Sequence, residues 1–108
     1  MGHVEREPES SASRLLGEWR LVRDEGGIDR GESITAAFTA GTELVYVIVN
    51  GDKQEVIKLV YEVDGETLMT NQPSKSREER TRFWFDSDGF LVLVYGGRRS
   101  WFQHVGLG

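Results

Sequence analysis

The residues of this chain that are best suited to binding chemistry are aromatic and amide side chains, together with one leucine, at alternate positions of apolar runs. Alternate side chains of a β-strand share one face, so these residues are predicted to meet on one inner wall. They are Trp19, Tyr46, Leu59, Tyr61, Phe83, Phe85, Trp101 and Gln103. Their polar atoms need partners when buried. The set predicts binding of a small apolar or amphipathic molecule, and the alternative is that the rings fill the interior completely.

Other kinds of site find little support in the residue types. The chain has two histidines, His3 and His104, and no cysteine, which leaves no cluster with the spacing of a metal site. No serine is marked as a nucleophile, and the Gly-Gly pairs at 26–27 and 96–97 lack the lysine and helix of a phosphate loop. We therefore expect no metal and no cofactor. Enzymatic activity stays open, because an enclosed cavity can accelerate a cyclisation or isomerisation by orienting its substrate.

Length and charge indicate how many domains the chain forms and which classes of partner it is expected to bind. The chain has 108 residues, enough for one hydrophobic core, and a formal net charge of −5. Residues 1–72 hold 14 acidic against 7 basic side chains, so most of the chain is acidic and is not expected to bind nucleic acid. No run approaches the ~20 apolar residues of a membrane helix, and the N-terminus has no apolar signal segment. With no cysteine, we expect a cytoplasmic protein without a membrane partner.

The elements that must position the aromatic residues are short strands between turn signals such as Asn50-Gly51, Asp64-Gly65 and Asp88-Gly89. This pattern predicts an all-β, antiparallel, up-and-down eight-stranded barrel, with a helical turn over 12–16 and a flexible tail over 1–13 before a single domain over 14–108. The strands are predicted at 18–22, 34–39, 42–49, 54–63, 67–71, 79–85, 90–95 and 100–105. The polar segment 23–33 is predicted to be a binding loop or lid, or else disordered.

Two of these predicted strands, 44–49 and 90–95, are apolar on both faces, so their outer face needs a cover. A second copy of the chain would provide it and predicts a homodimer, whereas the N-terminal turn is a smaller alternative. The outer face also suggests a third function besides binding and catalysis. Arg82 and Trp84 share that face, and both residue types are enriched where proteins meet. They would make the barrel a protein-interaction module.

The segment Leu15-Leu16-Gly17-Glu18-Trp19 resembles the Gly-X-Trp opening of the calycin superfamily, and of its short bacterial lipocalin-like domains in particular. The resemblance covers about residues 14–105 and implies a lipocalin-like barrel with a small-molecule cavity. It implies that Trp19 plugs one barrel end and that Gly17 lets the entering turn pack closely. Calycins usually carry an arginine on the last strand. Here Arg98 and Arg99 lie just before the predicted strand, so a role in carboxylate binding is not transferred.

Overall fold

A computed structural model describes residues 11–73 and 75–105 of the chain. One short helix, α1, spans Ser11–Leu15, which includes the last residues of the predicted tail; residues 1–10 lie outside the described part. Eight strands follow, each close to its predicted position: β1 Gly17–Asp24, β2 Glu32–Phe38, β3 Glu43–Asn50, β4 Lys53–Asp64, β5 Thr67–Gln72, β6 Lys75–Phe85, β7 Leu91–Tyr95 and β8 Arg98–Val105.

The eight strands form a closed up-and-down barrel. Each strand pairs antiparallel with the next, and β8 returns to pair with β1. The predicted fold class is therefore confirmed. Because the barrel is closed, its first and last strands pair with each other instead of forming free edges. Every strand is therefore paired on both sides, which stabilises short strands in one domain.

One end of the barrel is closed by the side chain of Trp19, which is 3% exposed. Its indole nitrogen donates a hydrogen bond of 2.8 Å to the carbonyl oxygen of Leu15, the last residue of α1. The ring packs edge-on against His104, with centroids 4.7 Å apart, and lies 5.8 Å from the ring of Phe85. The short helix therefore persists because its Leu15 and the barrel plug bury each other.

The other end of the barrel is flared because two pairs of neighbouring strands separate there. β1 pairs with β2 only between Gly17 and Arg20, and its remaining residues pair with β8 alone. On the far side, β4 pairs with β5 only from Val60 onward, so residues 53–59 of β4 pair with β3 alone. These separations create a mouth at the end opposite Trp19.

The outer face of β7 is covered within the same chain, and this corrects two predictions. Val92 is 1% exposed and is the direct cross-strand partner of Trp84 on β6 and Trp101 on β8. The two indoles thus flank Val92 on the outside, so this strand needs neither a second copy nor the N-terminal turn as cover. Trp101 accordingly points outward, contrary to its predicted inward orientation, and the guanidinium groups of Arg23 and Arg99 lie 4.5 and 5.3 Å from its ring.

Candidate functional site

The candidate site is a cavity of about 430 Å³ at the flared end of the barrel. Its deeper wall is apolar because inward-facing positions of five strands carry aliphatic or aromatic residues there. These are Leu21, Ile34, Ile48, Ile57, Leu59 and Phe102. Such a wall, open to solvent at one end and carrying a few polar groups, is typical of sites for small organic molecules.

Two tyrosines place polar groups in the middle of this wall. Tyr46 on β3 and Tyr95 on β7 both line the cavity, and their hydroxyls are hydrogen-bonded to each other. Only one of the two phenolic protons takes part in that bond, and the Tyr95 hydroxyl is also hydrogen-bonded to the side chain of Thr81.

Burial raises the pKa of Tyr46 well above its ordinary value, and the Tyr95 hydroxyl and the Glu79 carboxylate raise it further. Burial also raises the pKa of Tyr95. Both phenols are therefore neutral at physiological pH, and the pair offers hydrogen bonds but not a negative charge.

Thr70 adds a second polar position on the same wall. Its side chain is only 7% exposed, and it lines the cavity beside Glu79, its cross-strand partner on β6. A hydroxyl can donate or accept a hydrogen bond, so this position adds polarity to a mostly apolar wall.

The rim of the mouth is built around Asp24. A β-bulge between Leu21 and Arg23 shifts the register of β1 against β8 and turns Asp24 toward the cavity. Its carboxylate accepts hydrogen bonds from the Ser100 hydroxyl and, at 2.8 Å, from the backbone N–H of Gly26. Arg98 Nε lies 3.4 Å from the same carboxylate. Arg98 is the first residue of β8 rather than a turn residue, and it lines the cavity.

The loop between β1 and β2 spans residues 25–31 and is shorter than the polar segment predicted at 23–33. It is ordered at its base by Glu25, whose carboxylate accepts hydrogen bonds from the backbone N–H, Nε and Nη2 of Arg99 at 2.8, 3.1 and 2.7 Å. Those bonds hold the pKa of Glu25 below its usual value. Because Gly27 of this loop lines the cavity, the loop forms part of the mouth.

The residues predicted to form the inner wall separate into three groups. Tyr46 and Leu59 line the cavity as predicted. Four others face inward but belong to the packed core or the closed end: Trp19, Tyr61, Phe83 and Phe85. The Tyr61 hydroxyl donates a 3.0 Å hydrogen bond to the Thr39 carbonyl oxygen, so it is already satisfied.

Trp101 and Gln103 form the third group and lie on the outer face of β8. The buried residues of that strand are Ser100 and Phe102, which alternate with them. The prediction chose the wrong face because both faces of 100–105 carry aromatic and polar residues, and a shift of one position moves every side chain to the other side. Gln103 pairs with Arg20, and both side chains are exposed.

Several cavity residues were missed by sequence reasoning. Tyr95 continues the inward alternation of Leu91 and Leu93, so the pattern of β7 contained that information. Asp24 could not be found in this way, because the bulge in β1 breaks the alternation that starts at Trp19 and Leu21.

Within the described ranges, no group of three or more histidine, aspartate and glutamate side chains is placed to hold a metal ion. In the same residues, no helix has the length and apolar character needed to cross a membrane. Comparisons of the chain with protein-family models, curated proteins and solved structures give no match. The antiparallel eight-stranded closed barrel fits a lipocalin-like fold.

Proposed function

We propose that this chain binds a small apolar or amphipathic molecule in the cavity at the flared end of the barrel. The observation that supports this most is the combination of a cavity of about 430 Å³ with the hydrogen-bonded hydroxyls of Tyr46 and Tyr95 inside an otherwise apolar wall. Side chains fill the barrel end near Trp19, whereas the flared end, which Leu59 helps to line, contains the cavity. An apolar chain inserted there would contact the aliphatic wall and leave its polar end near the tyrosines.

As part of this proposal we group the chain with the short lipocalin-like domains of the calycin superfamily. Two features support the grouping. Trp19 closes the barrel end that follows the N-terminal turn, and Gly17 has a φ of +116° and lies against the His104 ring. These are the roles that the Gly-X-Trp resemblance implies for the two residues. A cytoplasmic location and the absence of nucleic-acid partners remain expectations from composition.

Binding is tested by displacement of Nile red, a neutral dye whose fluorescence rises in apolar surroundings, with decanol as competitor. Leu59→Trp puts a larger ring into the cavity and should abolish both dye binding and displacement. Val60→Trp is the matched control, because Val60 is the next residue of β4, faces outward and is 41% exposed. Loss of binding in both variants, or in neither, would contradict a site inside the barrel. Circular dichroism checks that each variant is folded.

A further inference from the structure

The outward orientation of Trp101 places it on the same outer surface as Trp84. The two indoles flank Val92 in one row across β6, β7 and β8, and Arg23 of β1 is the next cross-strand partner in that row. The neighbouring row on the same surface consists of Arg82, Val94 and Arg99. We call these two rows the Arg-Trp face. Its members come from four consecutive strands of the closed barrel, so the sheet fixes their relative positions.

Three arginine side chains of this face lie against the two indoles. The guanidinium carbons of Arg23 and Arg99 lie 4.5 and 5.3 Å from the centroid of the Trp101 ring. That of Arg82 lies 5.5 Å from the centroid of the Trp84 ring. A guanidinium is attracted to the face of an indole, and its N–H groups point outward within its own plane. The contacts therefore hold three planar cations in place before any partner binds.

Two of these three cations form an ion pair within the chain, and both pairs are open to water. Arg99 Nη2 lies 2.7 Å from the Glu25 carboxylate, and the two side chains are 50% and 35% exposed. Arg82 lies 3.8 Å from Glu66, and these side chains are 70% and 64% exposed. Ion pairs that are accessible to water contribute little to stability. A carboxylate of a partner can therefore compete for these guanidiniums at small cost.

The charge of the Arg-Trp face differs from that of the chain as a whole. Residues 73–108, which supply β6, β7 and β8, hold 6 basic against 4 acidic side chains, whereas residues 1–72 hold 7 against 14. The formal net charge of the whole chain is −5, which opposes the approach of a long polyanion such as a nucleic acid. The local charge thus favours a short anionic group from a partner.

The apolar part of the face points to a peptide as the source of that group. Between the arginines lie two half-buried indoles and the half-buried side chain of Val94, on which an apolar side chain can pack. Carboxylates accept paired hydrogen bonds from guanidiniums, and tryptophan and arginine are the residue types that dominate binding energy at protein interfaces. Stacked nucleic-acid bases fit less well, because two guanidiniums already lie at the Trp101 ring.

We propose that the Arg-Trp face binds an acidic peptide segment of a partner protein. Carboxylates of the segment would be held by Arg23, Arg82 and Arg99, and an apolar side chain between them would contact the two indoles. This site lies on the outside of the barrel, so it is independent of the proposed binding of a small molecule in the cavity. The chain would then have one binding site inside the barrel and another outside it.

The first test measures binding of a fluorescein-labelled peptide of sequence EELEELEE by fluorescence anisotropy, at neutral pH and low ionic strength. Binding should be saturable and should weaken as sodium chloride is added, because exposed charges are screened. The charge-reversed peptide KKLKKLKK should not bind. Absence of binding by the acidic peptide, or equal binding of both peptides, would overturn the inference. Tighter binding of a ten-nucleotide oligothymidylate or of phosphatidylserine vesicles would also overturn it.

The indole N–H signals in nuclear magnetic resonance spectra locate the site, because the chain has three tryptophans. The signals of Trp84 and Trp101 should shift when EELEELEE is added. Trp19 is the internal control, since it is 3% exposed at the closed barrel end and should not shift. A shift confined to Trp19, or no shift of either outer indole, would overturn the inference.

Variants then identify the cations responsible. Arg23→Gln/Arg82→Gln should weaken binding of EELEELEE about fivefold or more. Its control, Lys53→Gln/Lys58→Gln, removes the same charge at exposed positions of β4, which pairs with none of the four strands of the face, and should keep the affinity within about twofold. Circular dichroism checks that both variants are folded. Equal losses in the two variants, or no loss in the first, would overturn the inference.

Discussion

The hydroxyls of Tyr46 and Tyr95 meet inside the barrel although the two residues lie on opposite walls. Tyr46 is on β3 and Tyr95 on β7, four strands apart in a ring of eight, so their hydrogen bond spans the interior. The bond lies at a level where β4 and β5 do not pair, since Ile57, the β4 partner of Tyr46, precedes the part of β4 that pairs with β5. It also places a polar group in the middle of an apolar cavity.

Replacement of either tyrosine by phenylalanine should reduce stability by about 1 kcal/mol, the usual contribution of one hydrogen bond. Tyr95→Phe also removes the hydrogen bond to Thr81, and the double variant should lose little more than Tyr95→Phe alone, because both changes remove the bond between the tyrosines. Urea unfolding of the unchanged chain, the two single variants and the double variant measures these differences in the free energy of unfolding. Strictly additive losses would show that the two hydroxyls act independently.

The same pair predicts a loss of stability in alkali. Because burial raises the pKa of both tyrosines in the folded state above their ordinary 10.0, the unfolded chain releases these protons at a lower pH than the folded protein does. Their contribution is therefore full below pH 10 and declines as pH rises from there through the raised folded-state values. The urea midpoint should fall more steeply above pH 10 in the natural chain than in Tyr46→Phe/Tyr95→Phe. Equal slopes would contradict the raised pKa values.

Trp19→Ala should cost about 3 to 5 kcal/mol, because it removes a large buried ring and the hydrogen bond to the Leu15 carbonyl. That loss is large against the ~5 to 15 kcal/mol of a typical domain. Trp84→Ala is the comparison, since this ring is only half-buried and lies on the outer face. A smaller loss for Trp19 than for Trp84 would mean that the barrel end is not closed by Trp19.

Gly17→Ala should destabilise the fold in two separable ways. Gly17 has a φ of +116°, and a Cβ built there would lie 2.6 Å from His104 Nε2. The added variant His104→Ala should relieve the contact but not the backbone strain, so the double variant should recover part of the loss. Thermal unfolding measures both steps. Full recovery would show that the backbone conformation costs nothing, and no recovery would exclude the contact.

The homodimer stays a prediction, now restricted to the outer face of β3 and β4. Val45, Val47 and Val49 are half-buried there, and Val56 and Val60 are 48% and 41% exposed, so this face keeps apolar surface that β7 does not. Sedimentation at micromolar concentration should show a dimer that Val56→Lys converts to a monomer. A natural chain that sediments as a monomer would contradict this prediction.

The sequence was sufficient for the fold because turns and strands are local features. Asn50-Gly51 and Asp64-Gly65 mark two hairpins that the structure contains, and the alternation of β4 identified Leu59 and Tyr61 as inward-facing. The site was predicted less completely, for two physical reasons. The bulge in β1 shifts Asp24 into the mouth, and β8 offers similar residues on both faces, so Trp101 was assigned to the wrong one.

The central claim, that a small molecule binds inside the barrel, is tested most directly by nuclear magnetic resonance on methyl-labelled protein with decanol. Contacts between decanol and protein protons should involve the methyl groups of Ile34, Ile48 and Leu59, which line the cavity. The outward-facing methyl groups of Val47 and Val56 are internal controls and should show none. Contacts confined to the outer valines, or saturating decanol without any contact to the three cavity residues, would contradict the account.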